Sequence, residues 1–376
     1  MRSDITKRLY AAVLARDDRA VGEAIAAGAD PNRRLSGASA DAFPEPGRKT
    51  TVLMAAAERG TPGAVAMLLE AGARPRAVDS DGATALIYAA RAGAWREGEE
   101  EKVAALAKVS PIRAKDRKYL CAMSYACGVG EGNTGWKPGV ISAIVAEARK
   151  KGHDIPALLR HPLLAVAATG NTGCAEMLLK EGASAFGRAG EGSTVLEAAV
   201  RGGGKMLRVL LSPRREERPS LADLSEPLYL SAWQGGAVPA ETLPLLLEVA
   251  AELAKTAAPG EIAQFEAAKA SAFFAALDYC CVEALLRAGV EPDAADRNGT
   301  TKLMAAAAQG DLALCGMLLR RGADPSRKNG RGKSARGFAR GAAKGLFFAA
   351  EEKLAVSRAA GGADRGFAAK PAARRI

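Results

Sequence analysis

Short apolar blocks alternate with polar, glycine-bearing breaks along this 376-residue chain, and two of the blocks match position for position. Thr51-Val-Leu-Met-Ala-Ala-Ala-Glu-Arg-Gly60 is followed by Leu68-Leu69 and Gly72-Ala73. Thr301-Lys-Leu-Met-Ala-Ala-Ala-Ala-Gln-Gly310 is followed by Leu318-Leu319 and Gly322-Ala323, each element 250 residues further on. The alanine block predicts a first helix whose small side chains let it lie close to its neighbours. The Leu-Leu pair, repeated at Leu178-Leu179 and Leu285-Leu286, predicts the apolar stripe of a second helix. Thr51, Thr84, Thr194 and Thr301 stand where a hydroxyl can accept an orphan N–H at a helix start. Gly60, Gly93, Gly170, Gly203, Gly235 and Gly310 are expected to end the first helix in a left-handed cap. One such helix pair cannot bury its own apolar face, so stability must come from stacking.

The register can be followed by the leucine at Leu53, Leu86, Leu120, Leu163, Leu196, Leu228 and Leu303. Two of its steps, from 53 to 86 and from 163 to 196, are 33 residues long. Asp81-Gly82-Ala-Thr84-Ala-Leu86, Gly192-Ser-Thr194-Val-Leu196 and Asn298-Gly299-Thr-Thr301-Lys-Leu303 then complete a pattern that resembles the ankyrin family. The family's histidine is absent; Met54, Ile87, Glu197 and Met304 take its place. The resemblance covers roughly residues 4–360 and implies an all-α solenoid of stacked helix-turn-helix units with short turn tips. The expected organisation is a divergent capping unit at 1–34, an inserted loop at 35–49 and a repeat array at 50–325. The array's units near 118–153 and 226–292 are degenerate. A basic capping unit at 326–360 and a disordered basic tail at 361–376 close the chain. His161-Pro162 is read as the start of one first helix, with proline at the first helical position, and His153 as an exposed cap residue.

Charge is unevenly spread. Residues 325–376 carry 13 Lys or Arg against 3 Asp or Glu, whereas the first 324 carry 40 against 39. On that average the array is near neutral, and a partner held by it would tolerate salt. Arg327, Lys328, Arg331, Lys333 and Arg336 form a basic patch that suits nucleic acid or an acidic protein surface. The same charges would serve equally as the polar outer face of a terminal repeat. Phe338 is the only aromatic near them.

Four insertions interrupt the register: Leu35 to Lys49, Ala94 to Glu101, Gly128 to Gly139 and Ser212 to Glu226. Arrays tend to place insertions on one face, often the binding face. Trp95 and Trp136 lie in two of them, as binding hot spots or as pins holding each loop to the stack. Trp233, late in a first helix, reads as core. The ankyrin resemblance implies that partners dock on the turn tips and the first-helix face. That would place Asp79, Ser80, Asp81, Arg297, Asn298, Lys302 and Met304 in contact, as exposed positions, together with the 35–49 loop.

Chemistry finds little purchase here. The only histidines, His153 and His161, are not paired at helical spacing for zinc. Gly332-Lys333-Ser334 would need a glycine at 327 to make a phosphate-binding loop, and 327 is Arg. The six cysteines lack C-x-x-C spacing and read as small packing residues. No stretch is apolar enough to span a membrane, and the N-terminus has no signal core. The expectation is therefore a non-enzymatic, cytoplasmic, monomeric scaffold for an unidentified protein, with no metal or cofactor and no membrane contact. Two alternatives remain open. One is a protein that meets nucleic acid or an acidic partner through its basic C-terminal unit; the other is an exported effector that targets a host protein.

Overall fold

The computed structural model describes residues 2–36, 49–92, 99–130, 135–186, 194–212, 218–233, 240–339, 344–345 and 347. It divides into two units, Met1–Arg218 and Pro219–Ile376. Trp95, most of the 35–49 loop and the 361–376 tail lie outside the described residues.

Among the described residues the first unit has six helix pairs. Its first helices are α1 (Arg2–Ala15), α3 (Val52–Arg59), α5 (Ala85–Arg91), α7 (Ala122–Ala126), α9 (Ile155–Thr169) and α11 (Val195–Gly202). Each packs on the next, forming one layer. The second layer is α2 (Asp18–Ala26), α4 (Pro62–Glu70), α6 (Glu99–Val109), α8 (Pro138–Lys150), α10 (Thr172–Lys180) and α12 (Gly204–Leu210), again in successive contact. The core lies between the layers. Val52 to Ala57 and Ala85 to Ala90 are buried along their whole length, the alanines allowing close stacking and Leu53, Met54, Leu86, Ile87 and Tyr88 filling the core. In the second helices the first leucine of each pair is the core residue: Leu68, Leu178, Leu285 and Leu318 are fully buried, whereas Leu69, Leu286 and Leu319 are partly exposed.

In the second unit α13 (Leu221–Trp233) packs on α14 (Thr242–Ala254) and α15 (Pro259–Ala275), and α15 packs on α16 (Tyr279–Arg287). The pair α17 (Lys302–Gln309) and α18 (Leu312–Arg320) follows, with the short α19 (Ala335–Phe338) against α17. Helices therefore dominate. Among the described residues the one paired sheet is antiparallel, β1 (Arg34–Ser36) and β2 (Lys49–Thr51), which clasp the two ends of the first insertion.

The hydroxyl caps form as the sequence implies. Thr51, Thr84, Thr194 and Thr301 each accept the backbone N–H three residues on. The glycine caps are mixed. Gly170 and Gly310 are left-handed, but Gly60 is extended, with φ −76°. Its need for glycine is spatial: a Cβ there would sit 2.8 Å from Ala56 Cα.

Three register assignments change. Helix α9 starts at Ile155 behind Asp154, whose carboxylate accepts the Ala157 N–H, with Pro156 in the first turn. Pro162 therefore lies inside the helix, and His161 caps nothing. Helix α13 likewise starts at Leu221, inside the expected 212–226 insertion and well before the register leucine Leu228, after a reciprocal Ser220–Asp223 cap. In both places the sequence offers a polar cap and helix formers where other units have an x-Gly turn, so the helix absorbs the tip. In the third case Cys121, not Lys118, is equivalent to Thr84, so the buried Met123 replaces Leu120 as the register residue.

Candidate partner-binding surfaces

Among the described residues four tips share one construction. Asp79 Oδ1 accepts the N–H groups of Asp81 and Ala83 at 2.8 Å. Asp116 does the same for Lys118 and Leu120, Asp296 for Asn298 and Thr300, and Asn329 for Arg331 and Lys333. The first two also accept a phenol hydroxyl from the following helix, Tyr88 to Asp79 at 2.7 Å and Tyr125 to Asp116 at 2.6 Å. Each tip thus closes on its own backbone, and the side chains between are turned outward. Neighbouring tips are also bonded: Arg117 N–H donates to Asp81 O at 2.7 Å, and Gly330 N–H to Asn298 O at 2.8 Å.

This geometry sorts the residues expected to be exposed. Arg297 and Asn298 are exposed, and Ser80 and Asp81 are partly so; Asp81 lies 3.8 Å from the Arg117 guanidinium. Asp79 is buried, because its carboxylate is consumed in building the tip. Met304 is buried in the core of α17, like Met54 and Ile87 at the same position. Lys302 is buried too, and its Nζ donates to Phe274 O at 2.8 Å and Ala276 O at 2.5 Å. It clasps the last carbonyls of α15, where cationic donors suit the negative end of a helix. Lys137 does the same to Ala90 and Ala92 at the end of α5, from inside an insertion. The expectation of exposure therefore fails for Asp79, Lys302 and Met304.

Trp136 is half-buried, with its ring against Gly173 in the first turn of α10, where it pins the insertion to the stack. Trp233 reverses its expectation: at the last residue of α13 it overhangs the helix end and is 51% exposed. Leu277 (70%), Tyr279 and Leu312 are also exposed near the ends of α15 and α17, and the sequence reading missed them. Cys121, Cys127, Cys174 and Cys315 are buried, whereas Cys280 is exposed. A hydrogen bond with Cys174, together with burial, holds the Cys127 thiol well above its usual range.

Arg327, Lys328, Arg331, Lys333 and Arg336 are all exposed, and Lys333 lies 5.8 Å from the centroid of the Phe338 ring. In the first unit the near-neutral average conceals a second basic region. Arg33, Arg34, Lys49, Arg74, Arg76, Arg113, Lys115, Arg117 and Lys118 are exposed on or beside its tips. Part of the sequence signal was available, because Arg33 and Arg34 follow Gly28-Ala29, and Arg74 and Arg76 follow Gly72-Ala73, at the ends of successive second helices. Averaging over the array removed it.

No helix among the described residues is long and apolar enough to cross a membrane. No curated protein matches the chain. Residues 9–116 match the family model for ankyrin repeats, in 3 copies, a family of protein–protein interaction modules that are typically non-enzymatic. The match falls on the helix pairs and tips described above, and over that span the chain is similar to the ankyrin-repeat family.

Proposed function

We propose that this chain is a non-enzymatic, monomeric scaffold that holds a protein partner in the cytoplasm through its tips and the adjoining first-helix ends. The observation that carries the reading is the tip construction. An internal Asp or Asn satisfies each tip's backbone, so the outward side chains of Ser80, Arg117, Arg297 and Asn298 are available for contact without unfolding. Rigid tips also reduce the ordering entropy that binding must overcome. The test is capture of native partners by the full-length chain, compared with a variant carrying Ser80→Arg, Arg297→Glu and Asn298→Arg. Loss of capture with unchanged helicity supports the reading; undiminished capture sinks it.

A second reading rests on the five exposed cations between Arg327 and Arg336. In it the basic end recognises a polyanion or an acidic partner. Charge reversal at Lys328, Arg331 and Lys333 separates the two. If partner capture disappears while the fold is kept, the basic end is the recognition element.

A further inference from the structure

Tyr119 stands where its equivalents are glycine. Gly82, Gly299 and Gly332 each occupy the position three residues after the tip's Asp or Asn, with φ of +81°, +74° and +73°. Tyr119 holds the same left-handed backbone, φ +60°, and is 80% exposed. A side chain in that conformation is strained. Full packing could repay the strain, but an exposed ring packs on nothing. The ring is the most exposed large apolar group among the described residues.

Its surroundings are cationic. Arg113, Lys115, Arg117 and Lys118 are exposed on the same tip. Its one carboxylate, Asp116, is turned inward and accepts two N–H groups and the Tyr125 hydroxyl. The basic strip runs on across the neighbouring tips. Arg117 N–H bonds Asp81 O, and Asn32 bridges to Gly72 and Arg74, so Arg33, Arg34, Arg74 and Arg76 belong to one edge of the first unit. Among the described residues the row stops beyond Tyr119, because α9 begins directly behind Asp154. The aromatic thus marks the end of a track that is net positive although it also carries Asp30 and Asp81, the latter 3.8 Å from Arg117.

We infer that this edge binds an acidic, extended polypeptide segment, with Tyr119 covering an apolar side chain of that segment and the tip cations pairing with its carboxylates. The inference rests on the protein-binding reading above and names the partner's chemistry. A peptide fits better than a nucleic acid, because stacking a single strand calls for successive aromatic platforms and the described residues of the track carry one ring. Apolar contact at one point, flanked by charge, is the arrangement in which a buried anchor supplies affinity and a charged rim supplies rate and selectivity.

The experiment uses the full-length chain and three labelled probes: a glutamate-rich peptide with one central leucine, the same peptide with glutamine for glutamate, and a DNA duplex. The unaltered chain is compared with Tyr119→Gly, with Lys115→Glu/Lys118→Glu, and with Lys328→Glu/Arg331→Glu as a control on the other unit. Tyr119→Gly installs the residue of the equivalent tips, so its fold is kept. The expected result is binding of the acidic peptide only, about tenfold weaker in Tyr119→Gly, the size of a modest anchor. It should be abolished by the Lys115/Lys118 reversal and unaffected by the control. Equal binding by Tyr119→Gly and the unaltered chain overturns the inference, as does failure of the acidic peptide to bind. Tyr119-dependent binding of the duplex overturns it in favour of a nucleic-acid edge. If native protein partners are still captured by the Lys115/Lys118 reversal, this inference falls while the scaffold reading stands. If the unaltered chain captures no protein, the scaffold reading itself falls.

Discussion

Lys302 Nζ donates to Ala276 O across the joint between α15 and α17, and so links the start of one helix to the end of another. Burial pushes the pKa of this lysine down from 10.5 to about 8. The neutral amine retains donors for both carbonyls.

The pH dependence has a defined sign. Between about 8 and 10.5 the unfolded chain keeps the Lys302 proton and the folded chain releases it, so this residue's contribution to stability rises with pH in that window. Lys302→Met removes the dependence. At neutral pH the substitution is expected to destabilise the second unit by about 1–3 kcal/mol, because buried carbonyls lose their donor. Urea titrations at neutral pH and near pH 10 should show the gap between the two proteins widening at the higher value. A gap that narrows would contradict the burial of a charged amine.

The leucine pairs are unequal. Leu68→Ala, at a site with no exposure, should destabilise by about 2–5 kcal/mol. Leu69→Ala, at a partly exposed site, should lose clearly less. Comparable losses in thermal or urea unfolding would mean that the second helix is rotated from the position described.

Two tip glycines separate conformation from crowding. At Gly332 a Cβ would meet open space, so Gly332→Ala should lose only the left-handed penalty, about 1–2 kcal/mol. At Gly299 a Cβ would lie 3.2 Å from Gly330 N, against the neighbouring tip. Gly299→Ala should therefore be the more destabilising of the two. The reverse ranking would show that the two tips do not touch.

Tyr119→Gly should be stabilising. Relief of a left-handed tyrosine, reduced by the greater freedom of glycine in the unfolded chain, leaves a gain of about 0.5–1 kcal/mol. A lowered unfolding midpoint would mean that the ring has a packing role its exposure does not show.

The tryptophans divide by burial. Trp136→Ala should lower the unfolding midpoint of the first unit, because the ring covers the start of α10. Trp233→Ala should leave stability nearly unchanged, as befits a half-exposed ring at a helix end. Circular dichroism melts of the two variants make the comparison.

The repeating apolar blocks, the hydroxyl caps at Thr51, Thr84, Thr194 and Thr301, and the stacked helix pairs were legible in the chain itself. Each depends on a few neighbouring residues whose spacing records which face is covered. What the spacing could not show was which outward position is spent on the structure. Asp79 and Lys302 occupy places that a linear pattern marks as surface, yet one carboxylate closes its own turn and one ammonium reaches a helix 26 residues away. Pro162 looks like a helix start until an upstream cap extends the helix past it, and α13 likewise begins inside what reads as an insertion. Local sequence weighs competing caps poorly, because neighbours in space decide which one is kept. The basic edge ending at Tyr119 has the same origin. Its cations are scattered from Arg33 to Lys118 and balanced by acids elsewhere in the chain, and only the stacking of the tips gathers them on one side.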